Sequence, residues 1–265
     1  MNLTRVGALV MRYVFVYRRN KMRLVELFFW PLVDLLVWGY LTIFIQQTGQ
    51  GALPRFITFL IGAMIFWDLL YRSQQGVTVS FLEDVWSRNL FNVFCAPVRL
   101  SEYIVGTFLV GLLRVGITLI PLLTLAWGLY HFNILDVGFW LIPFIVNLLV
   151  LGLTLGIVAT ALIIRYGDSV QVLAWAVPFF FQPFSAVFYP VDVLPSWMQA
   201  VAYALPSTYV FEGMRAVIQT GASSWQLLLM ATGMNVAYLL LAMALLRRMF
   251  NLARDRGLLG KLGIQ

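Results

Sequence analysis

Residues 137–164 form a run of 28 positions without a charged side chain, and this run limits the fold more than any other part of the chain. A helix needs roughly 20 apolar residues to cross the hydrocarbon core of a bilayer. A run this long would aggregate in water, whereas a bilayer accommodates it with some tilt. The composition agrees, since 62% of the residues are hydrophobic and 11% are charged, against about 25% charged in a soluble domain. The sequence therefore predicts an all-α integral membrane protein.

Six apolar stretches have the length of membrane spans, and short polar segments separate most of them. The predicted transmembrane helices cover residues 24–46, 55–80, 101–129, 137–164, 169–188 and 225–246. A polar loop at 46–54 joins the first two, and a tight turn at 165–168 joins the fourth and fifth. Because the spans use most of the chain, we expect residues 1–265 to form one transmembrane domain.

Basic residues are distributed unevenly between the two sides of this predicted domain. Of the 18 Lys and Arg residues, 14 lie on the side that carries residues 1–23, 81–100, Arg165 and the tail 247–265. Positive charge marks the cytoplasmic side of a membrane protein. We therefore expect both termini in the cytoplasm, an even number of spans, and a multi-pass protein of the cytoplasmic (inner) membrane. The net charge of +7 then reflects topology and membrane lipids, and no nucleic-acid partner is expected.

Three segments outside the spans have their own patterns. Residues 1–23 alternate basic and apolar positions at helical spacing, which predicts an amphipathic helix on an anionic leaflet, with a frayed basic tail as the alternative. Residues 81–100 are amphipathic and mixed in charge. Residues 189–224 are broken by three prolines into two short pieces, about 195–204 and 207–220. Since neither piece can span, we expect two short re-entrant or interfacial helices on the outer side, between spans five and six.

Two stretches carry a resemblance to a known family. The first, Phe188 to Ile218, reads FYPVDVLPSWMQAVAYALPSTYVFEGMRAVI. It is similar to an element with the pattern P-x-x-x-LP-x-W, followed by LP-x-T-Y and a helix with E-x-x-R. The second, 83–106, reads EDVWSRNLFNVFCAPVRLSEYIVG. Together with the order of the spans, these stretches resemble the transmembrane permease of the ABC-2 family of ATP-binding-cassette exporters, over essentially the whole chain.

The resemblance implies a fold and a function. Such permeases pair with each other, here as an expected homodimer, and with two copies of a separate cytoplasmic ATPase subunit. ATP and Mg²⁺ would bind to that ATPase, and force would reach the membrane through a cytoplasmic coupling helix between spans two and three, at 81–100. The chain would then export an amphipathic substrate such as a lipid-linked glycan, a lipid or a drug.

The residues agree that this chain is a transport subunit and not an enzyme. No stretch has the phosphate-binding pattern G-x-x-x-x-G-K-[ST], and the nearest candidate, from Gly257 to Leu262, lacks its spacing and its hydroxyl residue. Cys95 and His131 are the only residues of their types, so we expect no intrachain disulfide and no metal site, and no cofactor is expected in this chain. An ion-gradient-driven secondary transporter and an intramembrane lipid-modifying enzyme remain the alternatives.

The 81–100 segment supplies the candidate contacts with the ATPase. These are Glu83, Asp84, Trp86, Arg88, Phe91 and Phe94. An amphipathic helix with aromatic anchors suits docking into a groove of a partner. The alternative is a helix that lies at the membrane interface, and the family resemblance favours docking.

Charged residues inside predicted spans form a second candidate set: Asp34, Asp68, Arg72 and Arg114. Asp68 and Arg72 are four residues apart and can pair on one helical face. Asp34 is a candidate partner for Arg114 by approximate depth. Such residues are usually paired or functional, so they either neutralise each other or line a pathway.

Two outer features stay open at this point. Tyr209, Glu212 and Arg215 lie on the second short helix, where they form either a solvated pair or an outer gate. The aromatic run at 179–189 either packs between helices or lines the substrate pathway.

Overall fold

The computed structural model describes residues 1–19, 21–48, 54–221 and 225–256. Within these ranges the chain forms ten α-helices and no β-strand, which confirms the predicted all-α fold. The helices are α1 (Leu3–Arg19), α2 (Lys21–Thr48), α3 (Pro54–Trp86), α4 (Leu90–Cys95), α5 (Leu100–Tyr130), α6 (Leu141–Tyr166), α7 (Leu173–Phe181), α8 (Ser196–Tyr203), α9 (Pro206–Thr220) and α10 (Trp225–Asp255). The predictions for the loop at 49–53, for residues 222–224 and for the tail from 257 onward lie outside the described residues.

Among the described residues, four helical stretches are long and apolar enough to cross a bilayer. They are Val25–Ile45 in α2, Leu100–Tyr130, Gly138–Tyr166 and Trp225–Asp255, and they match the first, third, fourth and sixth predicted spans. α3 has 33 residues, or about 50 Å at the rise of an α-helix. It is therefore also long enough to cross, although it carries several charged side chains.

The fifth predicted span, 169–188, is not one long helix. The apolar helical stretch there covers Leu173–Phe184, which is about 18 Å against a hydrocarbon core of about 30 Å. Pro178 and Pro183 lie in this stretch, and α7 itself ends at Phe181. Because proline lacks a backbone N–H and disfavours a continuing helix, the chain leaves the helical conformation earlier than its hydrophobicity suggests.

α3 packs against α2, α5 and α6, and small residues allow the backbones to approach closely. A Cβ atom added at Gly111 of α5 would lie 2.9 Å from Cα of Gly76 of α3. A Cβ atom added at Gly156 of α6 would lie 2.8 Å from the carbonyl oxygen of Gln74. These crossings fix α5 and α6 against the central helix α3.

Three segments far apart in sequence meet at one end of the molecule, which we call the basic end. A buried cluster there joins Leu9 of α1, Val85 of α3, Leu90 of α4 and Leu246 of α10. Phe94 of α4 also contacts the ring of Phe250, with centroids 5.0 Å apart. The first helix, the last helical turns and the 81–100 segment therefore lie at the same end, as the charge pattern predicts.

The N-terminal segment is helical over Leu3–Arg19, so the alternative of a frayed tail is wrong, whereas Lys21 to Arg23 belong to α2. The position of α1 on a lipid leaflet stays a prediction. The amphipathic pattern of α1 places Val6, Leu9 and Tyr13 on one face, and these three side chains are buried. That face packs against α5. The basic residues Arg18 and Arg19 are exposed at its end.

The 81–100 segment is not a single amphipathic helix. α3 continues to Trp86, and a turn then leads into the six-residue helix α4, Leu90–Cys95. Arg88 has φ of 55°, a left-handed conformation that stops a helix. The predicted coupling helix therefore consists of the last turn of α3, a sharp turn and a short helix.

The two short helices predicted at 195–204 and 207–220 are confirmed as α8 and α9. They form a hairpin, the α8–α9 hairpin, whose connection contacts the middle of α10. The hydroxyl of Tyr238 donates a hydrogen bond of 2.8 Å to the carbonyl oxygen of Ala204. Tyr238 lies about 20 Å along α10 from Trp225 by helical rise. The connection of the hairpin therefore lies far from the first residue of α10, in the direction of the basic end.

Candidate functional site

The last turns of α3 carry a buried carboxylate that three side chains bind. Asp84 is 3% exposed. It accepts hydrogen bonds from the hydroxyl groups of Tyr13, at 2.7 Å, and Tyr103, at 2.8 Å, and forms an ion pair with Arg12. A buried carboxylate is tolerated only when it is paired and hydrogen-bonded. Asp84 thus connects α3 to α1 and to α5.

The surroundings of Tyr13 keep its side chain a hydrogen-bond donor. Burial, followed by the charge of Asp84, raises the pKa of Tyr13 well above its ordinary value of 10.0. The phenol therefore stays protonated at neutral pH and donates to Asp84.

The neighbouring carboxylate, Glu83, also faces these helices. It accepts a hydrogen bond of 3.3 Å from Tyr17, and its Oε2 atom lies 3.9 Å from Nη2 of Arg114. Arg114 donates a further hydrogen bond of 3.2 Å to Ser80, and its guanidinium lies 4.6 Å from the centre of the Tyr17 ring. The predicted pairing of Arg114 with Asp34 is wrong, because Arg114 reaches the last turns of α3 instead.

A third carboxylate fixes the start of α1. Glu102, in the first turn of α5, accepts hydrogen bonds from the backbone N–H groups of Asn2, at 2.7 Å, and Arg99, at 2.9 Å. Its Oε2 atom lies 3.7 Å from Nη1 of Arg5. Sequence reasoning missed Glu102 as a contact between helices, although its position three residues after Arg99 at a helix start is typical of a capping residue. Glu83, Asp84 and Glu102 together hold α1 against α3 and α5.

The predicted coupling residues therefore separate into two groups. Glu83 and Asp84 face α1 and α5 and do not project from the basic end. Trp86 is 51% exposed and stacks on Trp175, with centroids 6.2 Å apart. Arg88 is exposed at the turn before α4.

The remaining two predicted coupling residues lie on α4. Phe94 is half-buried between Tyr103, at 5.5 Å, and Phe250, at 5.0 Å. The side chain of Phe91 lies outside the described residues. α4 is thus anchored to α5 and α10 through Phe94.

The intramembrane charges behave as predicted in one case. Nε of Arg72 donates a hydrogen bond of 2.6 Å to Asp68, and Nη2 of Arg72 donates one of 3.0 Å to the carbonyl oxygen of Leu27 on α2. Asp34 on α2 is exposed at the surface of the chain and interacts electrostatically with Asp68 and Arg72. A carboxylate exposed on the side of a membrane helix is costly in lipid, which indicates that this face meets protein or water.

The pair Glu212 and Arg215, predicted to lie on the outer side, is structural in this conformation. Nη1 of Arg215 lies 2.6 Å from Glu212, and Nη2 donates a hydrogen bond of 3.0 Å to the carbonyl oxygen of Ala186. Glu212 also accepts a hydrogen bond of 3.0 Å from the backbone N–H of Val191. Tyr209 donates one of 2.9 Å to the carbonyl oxygen of Tyr203, which joins α9 to α8. These contacts hold the α8–α9 hairpin against the segment before it.

The aromatic run at 179–189 divides between packing and open surface. Phe188 stacks on Trp38 of α2 at 4.5 Å, and Phe179 contacts Tyr71 of α3 at 5.2 Å. Phe180, in contrast, is 65% exposed. Helix packing therefore explains part of the run, and the remainder lines a surface between helices.

A polar contact between α6 and α10 was not predicted. The amide nitrogen of Asn235 donates hydrogen bonds to the carbonyl oxygen of Asn147, at 3.0 Å, and to its side-chain oxygen, at 2.9 Å. Both residues lie in uncharged apolar spans. An isolated Asn in such a span is the signal that could have indicated this contact, since amides often join membrane helices.

Comparisons with known proteins agree with this architecture. A family model described as ABC-2 type transporter matches residues 4–218. ABC transporter G family member 20 of Dictyostelium discoideum is 29% identical over 171 residues, which is 63% of this chain. The match covers 23% of that relative, so this chain spans less than a quarter of its length. The match over most of the chain, on a fold with several long apolar helices, shows that this multi-pass membrane protein belongs to the ABC-2 type transporter family.

Proposed function

We propose that this chain is the permease subunit of an ATP-driven exporter that moves an amphipathic substrate across the cytoplasmic membrane. Lipid-linked glycans, lipids and hydrophobic drugs are the candidate substrates. The observation that carries the proposal is the family match over residues 4–218, on a structure in which the short helix α4 joins the ends of two long helices.

The proposed orientation places the basic end in the cytoplasm. Basic residues of α1, of the segment around α4 and of the end of α10 cluster there, as the positive-inside pattern requires. We count α2, α3, α5, α6 and α10 as five crossings. The sixth consists of α7 and the chain that follows it to about residue 189, completed by irregular backbone that is buried in protein.

The ATPase is proposed to bind at the turn and short helix between α3 and α5. Trp86 and Arg88 are the proposed contact residues that are exposed beside the short helix. Phe91 stays a proposed contact from its sequence position, and Phe94 is proposed to hold α4 in place for docking. Glu83 and Asp84 have a different role in this proposal. They hold α1 and α5 to α3, so a displacement of α4 moves these helices together. Two ATPase copies, each binding ATP and Mg²⁺, would act on two permease chains.

A second copy of this chain is proposed to pack against α2. Within the most apolar part of Val25–Ile45, 22% of the residues are buried in one chain, the same share as in Trp225–Asp255, so the charge on α2 is what distinguishes this helix. Asp34 is exposed on this helix, and a paired chain or a polar pathway between two chains would remove it from lipid. The Glu212–Arg215 pair and Tyr209 are proposed to keep the outer exit closed in this conformation by holding the α8–α9 hairpin in place.

Co-purification tests the docking site directly. The chain is co-expressed with an ATPase subunit of the ATP-binding-cassette type from the same genome and purified through a tag on the chain. Arg88→Glu is expected to reduce both the ATPase recovered and the ATP hydrolysis per chain, because it reverses a charge at the proposed contact. Arg256→Glu, which reverses an exposed charge after the end of α10, should leave both unchanged. Equal recovery for the two variants would contradict the proposed docking site.

A further inference from the structure

A lateral groove of about 870 Å³ lies between α6, α7 and α10. The side chains that line it include Leu155 and Val158 of α6, Ala176 and Phe180 of α7, and Leu241 and Leu245 of α10. Because α6 and α10 belong to candidate membrane spans, this groove lies at the depth of the hydrocarbon core. Its size is within the range of small-molecule pockets.

The tip of the α8–α9 hairpin closes one end of the groove. Leu205 and Pro206, at the connection, contribute to the lining. The hydrogen bond from Tyr238 to Ala204 fixes this tip against α10. From Tyr238 the groove continues along α10 to Leu245, about 10 Å towards the basic end by helical rise. The groove is therefore closed at the hairpin. It lies in the half of the molecule nearer the basic end.

The lining has no free hydrogen-bonding side chain. Among the described residues that form it, only Thr154 and Tyr238 carry polar side-chain atoms. The hydroxyl of Thr154 donates to the carbonyl oxygen of Val150 at 2.8 Å, and that of Tyr238 donates to Ala204. A sugar placed here would lose its hydrogen bonds with water without replacement. A hydrocarbon chain would lose nothing, so it is the ligand chemistry that fits.

Two arginines continue the faces that line the groove beyond its open end. Arg165 follows Val158 of α6 by seven residues, and Arg248 follows Leu241 of α10 by seven residues. Seven residues are nearly two helical turns, so each arginine lies on the same helical face as the groove residue. Arg248 is exposed and Arg165 is partly exposed. The guanidinium of Arg165 lies 5.7 Å from the centre of the Tyr166 ring. Among the side chains that the structure describes, no acidic group pairs with Arg165 or Arg248.

We propose that the lateral groove binds the hydrocarbon chain of an anionic lipid from the leaflet at the basic end. The chain lies between α6, α7 and α10, and the phosphate of the headgroup lies beside Arg165 and Arg248. The inference rests on the proposed function for its orientation and deepens it, because it names a lipid as the class of molecule that the permease binds. The α8–α9 hairpin separates the bound chain from the outer side.

Photolabelling in the absence of any ATPase tests the proposal. The purified full chain is placed in phosphatidylcholine nanodiscs that contain phosphatidylglycerol with a diazirine on its acyl chain. After irradiation, mass spectrometry is expected to find label on peptides of α6, α7 and α10 that line the groove. Ala176→Trp should reduce this label to background by filling the groove. Ala176 is exposed, so the fold should tolerate the indole, and the elution volume of the variant checks this.

Three controls make the result specific. Ala237→Trp introduces the same side chain at an exposed position of α10 that does not line the groove, and it should leave the label unchanged.

Arg165→Gln and Arg248→Gln should each weaken labelling by phosphatidylglycerol about fivefold, the effect of one basic side chain beside an anionic headgroup. Arg247→Gln, on another face of α10, should have a smaller effect. Labelling by a phosphatidylcholine diazirine should not respond to any of the three.

The outcomes separate the inference from the proposed function. Equal labelling of the Ala176→Trp and Ala237→Trp variants would overturn the groove as the binding site. Loss of groove label in Ala176→Trp without any dependence on the headgroup would overturn the role of the two arginines. Failure of the chain to bind an ATPase would contradict the proposed function and would leave the labelling result intact.

Discussion

Asp84 links three helices through two buried tyrosines and a partly buried arginine. Its carboxylate is buried, accepts hydrogen bonds from Tyr13 and Tyr103, and forms an ion pair with Arg12. Removal of one side of such a network leaves the other groups buried without a partner, which costs more than the interaction itself contributes. The network is therefore a place where a single substitution has a large effect on stability.

Asp84→Ala is expected to lower the free energy of unfolding by about 3 kcal/mol. Denaturant unfolding in detergent micelles measures the change, and hydrogen exchange should show faster exchange in α1. Asp255→Ala is the control, since Asp255 and Arg254 form an exposed pair with 3.6 Å between the charged atoms, and exposed pairs contribute little. If both variants unfold like the parent chain, Asp84 does not hold α1 in place.

The sequence predicts contacts within one helix better than contacts between helices. Asp68 and Arg72 are four residues apart on a continuous helix, so their spacing alone indicated the pair that forms. The partner of Arg114 depends on how far α5 is shifted along α3, which the sequence does not state. The long side chain of Arg114 contacts Glu83 and Tyr17 and does not pair with Asp34.

At the scale of elements, the lengths of the apolar runs predicted where the long helices lie. They did not predict where several helices end. The long apolar runs predicted α2, α5, α6 and α10 because a span of this length has few alternatives. The boundaries of α4 and α7 depend on local backbone chemistry. A left-handed residue at Arg88 ends α3, and two prolines shorten the helix at 173–184. Neither effect changes the pattern of apolar residues, so that pattern does not predict these helix ends.

The contact between Gly76 and Gly111 fixes how α5 crosses α3, and it gives a prediction at this scale. Gly111→Ala is expected to destabilise the protein by about 1–3 kcal/mol, because the new methyl group meets the backbone of Gly76. Thermal unfolding in nanodiscs measures the effect. Gly116→Ala places the same methyl group on α5 where nothing lies within 4 Å, so helix propensity should make it neutral or slightly stabilising. A Gly111→Ala variant as stable as Gly116→Ala would contradict the close crossing.

At the scale of the whole molecule, substitutions of the two acidic residues near Arg72, Asp68 and Asp34, should have different effects. Asp68 pairs with Arg72 inside one chain, whereas Asp34 is exposed on α2. We expect Asp68→Asn to reduce the folded yield, because Arg72 loses its counter-charge. Asp34→Asn should leave the folded yield unchanged and should lower the substrate-stimulated ATP hydrolysis of the assembled complex. Gel filtration and an ATPase assay separate the two effects, and normal coupled hydrolysis in Asp34→Asn would count against a role for Asp34 between two chains.

The central claim is that α4 faces the cytoplasm and receives the ATPase, and the chain contains a natural reporter for it. Cys95, the only cysteine, is exposed at the end of α4. The measurement is labelling of Cys95 by a membrane-impermeant maleimide in oriented vesicles, with and without the bound ATPase. The account predicts labelling in inside-out vesicles, none in right-side-out vesicles, and protection when the ATPase is bound. Labelling of Cys95 from the outer side would contradict it.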